Sequence, residues 1–187
     1  MKNRSFPYPM KRSELVAGWI YLPIHIFILP ILISVAMVTL FPRMGINLDD
    51  PHLNFAYYAI SFIFVLVFMF RYLKNSFSDL IDNFTRSLAA VGLGFLMYYI
   101  SSLAVNMLIL YFTDNLTNPN TEIINSSTKL NVNMMAAVGV LLAPVVEESL
   151  FRGVVFGSLR KKTRVWAFII SALLFAVYHL WDSFLGG

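Results

Sequence analysis

The chain has 187 residues, 58% hydrophobic and only 13% charged, with a formal net charge of +4 and no cysteine. Soluble domains carry about 25% charged residues, so this composition excludes an ordinary soluble protein. The lack of cysteine also excludes a disulfide framework, a thiolate metal site and a cysteine nucleophile.

In chain order, a spanning helix needs about 20 apolar residues to cross roughly 30 Å of hydrocarbon. Five segments meet or approach that length: 18–41, 55–73, 88–112, 134–159 and 166–185. The expected fold class is therefore all-α, a polytopic transmembrane bundle of about five spans forming one membrane domain over 1–187. The first apolar run is too long and its flank too basic for a cleaved signal peptide, so it reads as the first span. Pro23 and Pro30 should kink it.

Basic residues sit at segment ends, as topology signals do, rather than on a face that would bind nucleic acid. Lys2, Arg4, Lys11 and Arg12 precede the first span. Arg71, Lys74 and Arg86 separate the second and third, and Arg160, Lys161, Lys162 and Arg164 separate the fourth and fifth. The opposite loops hold only Arg43 and Lys129. The expectation is an integral protein of a bacterial cell membrane with its N-terminus cytoplasmic. The outer loop 113–133, rich in Asn, Ser and Thr, reads as mobile, and its sequons at Asn115 and Asn125 as plain loop.

Chemistry concentrates in the fourth span. Glu147, Glu148 and Arg152 lie within a stretch apolar enough to cross a bilayer, where a charge costs roughly 2.5–3.5 kcal/mol even on lenient scales. Glu148 and Arg152, at i and i+4, share a helix face. Glu147 points about 100° away, so the two carboxylates need not share a task. Pro144 should open the helix locally, and Gly153 with Gly157 gives a GxxxG spacing for close helix approach.

The fifth span carries Phe175 and His179 at i and i+4, with Asp182 and Ser183 one turn on. Glu147 is about 13 residues in from Arg160 and His179 about 15 from Arg164, so both lie ~20 Å deep. Antiparallel neighbours would bring carboxylate and imidazole together around one water, a general-base arrangement for hydrolysis with or without a metal.

These residues, E147-E148-x-x-x-R152-G153 followed one helix later by F175-x-x-x-H179, resemble the first two motifs of the CAAX protease and bacteriocin-processing family. That family comprises intramembrane proteases, among them the type II CAAX prenyl endopeptidases. The resemblance covers about 134–187. It implies Glu147 as general base aided by His179, with Glu148 and Arg152 holding local geometry and the substrate's carboxylate end. Phe175 would shape the pocket, and Ser183 occupies a position where relatives carry Asn. A third motif on a later helix completes the family site, so the expectation is a bundle truncated at its C-terminus.

The implied activity is endopeptidase hydrolysis of membrane-associated or prenylated peptides. The alternative is a non-catalytic member acting in bacteriocin self-immunity or peptide binding. A proton-relay transporter is the third option, disfavoured because no internal repeat is visible. Zinc on Glu147 and His179, or metal-free water activation, remain equally open. Elsewhere, His25 between two prolines reads as structural, His52 as solvated, and Asn106 as interhelical glue.

Overall fold

The computed structural model describes residues 10–46, 48–112 and 119–185, without side chains at 119, 120, 123 and 181–185. Among these residues there are helices and no strands. Four helices are long and apolar enough to cross a membrane: Arg12–Met44, Asp50–Phe68, Phe84–Phe112 and Val132–Arg160. A fifth apolar helix, Arg164–Leu185, follows them. The protein is an integral membrane protein built from the five segments that the apolar pattern picks out.

Local chemistry explains where these helices begin. The Asp49 side chain accepts the His52 N–H at the start of the second span, and Asn131 accepts the Met134 N–H (3.1 Å) at the start of the fourth. Both satisfy backbone donors that a helix leaves unpaired in its first turn. His52, expected to be merely solvated, also bonds the Asp49 carboxylate through Nδ1. That bond holds the Asp49 carboxyl below the usual carboxylate range.

Two expectations need correction. The second span stops at Phe68 rather than at 73: Met69 leaves helical geometry (φ −122°, ψ 20°), and a separate helix, Phe70–Asp82, follows. That helix is amphipathic, with Phe70, Leu73, Phe77, Leu80 and Ile81 at helical spacing between charged and polar residues, a pattern suited to a membrane interface. The outer loop is also not plain loop, because Pro119–Leu130 is helical and carries Asn125. Glu122 in its first turn and Lys129 in its last complement the helix dipole, a local preference that the polar composition hides. Asn115 lies outside the described residues.

The core is shared by three spans. Tyr21 and Leu22 of the first, Val65 of the second with Met69 just past its end, and Val146, Leu150, Phe151, Val154 and Val155 of the fourth form one buried cluster. The fifth span packs along the Glu148–Phe156 part of the fourth. The third span, Phe84–Phe112, has no buried residue, and Asn106, expected to bond a neighbouring helix, is exposed on it.

Glu14 ties the base of the bundle together. Its carboxylate, buried to 5% exposure, accepts the N–H of Lys11 at 2.9 Å and the N–H of Tyr72 at 2.9 Å. One side chain thus caps two helices, the first span and Phe70–Asp82. Glu14→Ala leaves both donors without an acceptor and should lower stability by about 1–3 kcal/mol. Glu14→Gln, which keeps one acceptor oxygen, should lose less; equal losses in detergent unfolding titrations would refute the capping role.

Candidate active site

The helices that form the site depart from α geometry where they meet. Ile24–Ile28, Val138–Leu142 and Glu148–Phe156 are wound as π-helix, with wider turns that rotate the faces following them. In the first span the cause is visible. The Leu29 N–H bonds the Ile24 carbonyl, so the His25 carbonyl would next need an N–H from Pro30, which has none. The Tyr57 hydroxyl donates to that orphaned carbonyl instead, at 3.0 Å.

Glu147 and His179 are brought together as the depth comparison predicts. Glu147 Oε2 lies 4.0 Å from His179 Nε2, and the side chains are 15% and 33% exposed respectively, so the pair is shielded yet reachable. His179 Nδ1 lies 3.0 Å from the Phe175 carbonyl, which can only accept; Nδ1 therefore carries the proton and Nε2 presents a lone pair to Glu147. Two acceptors facing each other at this distance cannot bond directly. A water donating one hydrogen to each would fit between them and leave its own lone pairs free for attack.

Phe175 serves His179 twice. Its carbonyl fixes the tautomer, and its ring lies 4.3 Å from the imidazole and 5.3 Å from Phe151. Ser183, the other expected pocket residue, lies outside the residues whose side chains are described.

Glu148 and Arg152 do not join this pair. They bond each other, Oε2 to Nε at 3.2 Å, with Arg152 74% and Glu148 59% exposed, on a face turned from Glu147. Nor do they sit at mid-span. A Cβ on neighbouring Gly153 would lie 2.7 Å from Met10 Cε and 3.0 Å from the Tyr72 ring, and both residues are outside the first two spans. The ion pair therefore occupies the end of the bundle, where headgroups and water reduce the cost of charge. The GxxxG spacing accordingly seats Met10 and Tyr72 at Gly153, while Gly18 of the first span lies close against Val154 of the fourth.

Sequence reasoning missed the second half of the site. Tyr58 donates to Glu147 Oε1 at 2.8 Å, and its hydroxyl is 3.1 Å from that of Tyr178. The Tyr178 hydroxyl is 3.1 Å from that of Tyr57, which is 2.9 Å from His25 Nε2. His25 is fully buried, and its Nδ1 meets Ser61 Oγ at 3.0 Å, where Tyr21 also donates at 3.0 Å. Tyr21 with His25, and Tyr57 with Ser61, are each i, i+4 polar pairs inside apolar spans. That spacing was the available signal.

Catalytic zinc sites use three protein ligands. Among the described residues no third His, Cys, Asp or Glu groups with Glu147 and His179, since Glu148 is turned away.

The fold and site define a polytopic membrane protein with a shielded carboxylate–imidazole pair. Residues 129–186, which hold that pair, match the family model for type II CAAX prenyl endopeptidase Rce1-like proteins. The match supports assignment to the CAAX protease and bacteriocin-processing family and, at that level, a CAAX-protease type of function. No curated protein and no solved structure matches the chain.

Proposed function

We propose that this protein is an intramembrane endopeptidase that hydrolyses peptide bonds of membrane-associated or prenylated peptides, its single domain lying with the N-terminus cytoplasmic in a bacterial membrane. The supporting observation is the 4.0 Å gap between Glu147 Oε2 and His179 Nε2, with His179 Nδ1 already committed to a carbonyl. A water held between them attacks the scissile carbonyl carbon and gives one proton to Glu147. The second hydrogen stays on the attacking oxygen and donates to the His179 Nε2 lone pair, which orients the water for attack. Collapse breaks the C–N bond, and the proton held by Glu147 passes to the departing amine.

Glu148 and Arg152 take a binding role. Arg152, exposed at the bundle end, is placed to receive a substrate's C-terminal carboxylate, with Glu148 setting the guanidinium angle. Arg152→Gln should raise KM about tenfold or more with kcat little changed, the loss of one charge-assisted bond. A fall in kcat at constant KM would refute that assignment.

The test of the proposal uses purified protein in proteoliposomes with an internally quenched, lipidated peptide. Cleavage by the wild type and not by Glu147→Gln or His179→Gln is expected. Binding of the peptide without cleavage would move the protein to the non-catalytic reading, immunity or peptide capture.

A further inference from the structure

We propose that the helix Phe70–Asp82 is a lipid anchor lying in the plane of the membrane surface, with Phe70, Phe77, Leu80 and Ile81 sunk into the acyl boundary. At ~100° per residue these four side chains and Leu73 fall within one arc of about 100°. Arg71, Asn75, Ser78, Asp79 and Asp82 stand on the other side of the helix.

Local chemistry gives this helix little support beyond the Glu14 carboxylate on the Tyr72 N–H. It has 13 residues, and its N-cap, Met69, makes no side-chain cap bond. No acidic residue stands in its first turn and no basic one in its last. Arg71 and Lys74 instead lie toward its N-terminal end and Asp79 and Asp82 at its C-terminal end, the order that opposes the helix dipole. Isolated helices of this length are marginal in water, so the apolar face has to be covered. The described residues cover only part of it. Leu73 packs against the shared core, whereas Phe70, Phe77, Leu80 and Ile81 remain between 46% and 68% exposed.

Position decides what covers the rest. The second span ends at Phe68 and the third begins at Phe84, which leaves one residue at each end of the helix, Met69 and Asn83. A single residue reaches at most ~3.6 Å, so both helix ends are held where the spans leave the hydrocarbon. An apolar face held at that level meets acyl chains. A helix with one apolar and one charged face and little net hydrophobicity lies in the interface rather than across it. The same placement accounts for the third span, which has no buried residue: a 13-residue helix in the plane sets it ~20 Å from the second.

The anchor also bears on the Glu148–Arg152 pair. Tyr72 stands outside the apolar arc, with its ring against Gly153, the residue after Arg152. Lipid that holds the helix therefore holds that end of the fourth span at headgroup depth.

The chain has no cysteine, so single cysteines can be spin-labelled in the full chain in phosphatidylcholine vesicles. Electron paramagnetic resonance then reads collisions with oxygen, which concentrates among acyl chains, and with a water-soluble nickel chelate. Labels at Phe77, Leu80 and Ile81 should collide with oxygen and be shielded from nickel, and labels at Asn75, Ser78 and Asp79 should show the reverse. All six side chains are exposed, so these substitutions leave the packed core intact. Phe77→Asp combined with Ile81→Asp should lift the helix, and the Leu80 label should then lose its shielding from nickel. Nickel access at Phe77 and Ile81 equal to that at Asn75 would place the helix in water and overturn the anchor. Shielding of the apolar face from both reagents would mean that protein covers it, a second copy or another partner, and would overturn the anchor equally. No peptide cleavage enters these measurements, so the anchor stands or falls apart from the endopeptidase reading.

Discussion

Glu147→Gln should reduce kcat for peptide hydrolysis by about 10²–10⁴-fold, the range that a positioned general base contributes. KM should hold, because the substitution removes a proton acceptor rather than a binding surface. The fold should hold as well. The glutamine oxygen can still accept from Tyr58, as the carboxylate does at 2.8 Å. The pair of measurements is steady-state hydrolysis in proteoliposomes and an unfolding titration of the same preparation. Loss of activity with full stability is the expected result. Parallel loss of both would make Glu147 a structural member of a polar cluster, and retention of full activity would remove it from the reaction.

The second large effect concerns the contact that sets the first span against the fourth. A Cβ added to Gly18 would lie 2.3 Å from Val154 Cγ2, far inside van der Waals contact. Val154 is β-branched and fully buried, so it has little freedom to rotate away. Gly18→Ala must therefore separate the two helices, at a cost of about 1–3 kcal/mol. Membrane helices depend on such close approach, since lipid supplies little hydrophobic drive for their association. In a Val154→Ala background the obstructing methyl is gone and Gly18→Ala should be nearly neutral. A double-mutant cycle by reversible unfolding in detergent measures the coupling directly, and additive losses would show that the two residues do not oppose each other.

The second effect reaches the site as well. His25 is on the same span as Gly18, and Glu147 on the same span as Val154, so any separation there lengthens the links between them.

Much of this protein is legible in the chain alone. Apolar length specifies the spans, because backbone groups in hydrocarbon must be bonded within their own helix. Two ionisable residues at equal depth on consecutive antiparallel spans, Glu147 and His179, have few other places to go than toward each other. The break at Met69 and the helix at Pro119–Leu130 were less legible, since in each case hydropathy reports composition while capping and dipole complementarity decide the backbone.

Length, apolar periodicity and the E147-E148-x-x-x-R152 and F175-x-x-x-H179 spacings were sufficient for the class of fold, the pair of helices that brings Glu147 to His179 and the separate faces of Glu147 and Glu148. They placed Glu148 and Arg152 in the span but not at its end, because depth depends on which neighbours, here Met10 and Tyr72, surround a residue. The union of His25, Tyr57, Tyr58 and Tyr178 with Glu147 was decided by tertiary structure alone. It requires the first, second, fourth and fifth spans to be rotated to one shared axis, and that rotation is set by π-wound turns and by the Gly18–Val154 approach. Such contacts join residues far apart in the chain, and no local pattern encodes the angle at which two helices meet.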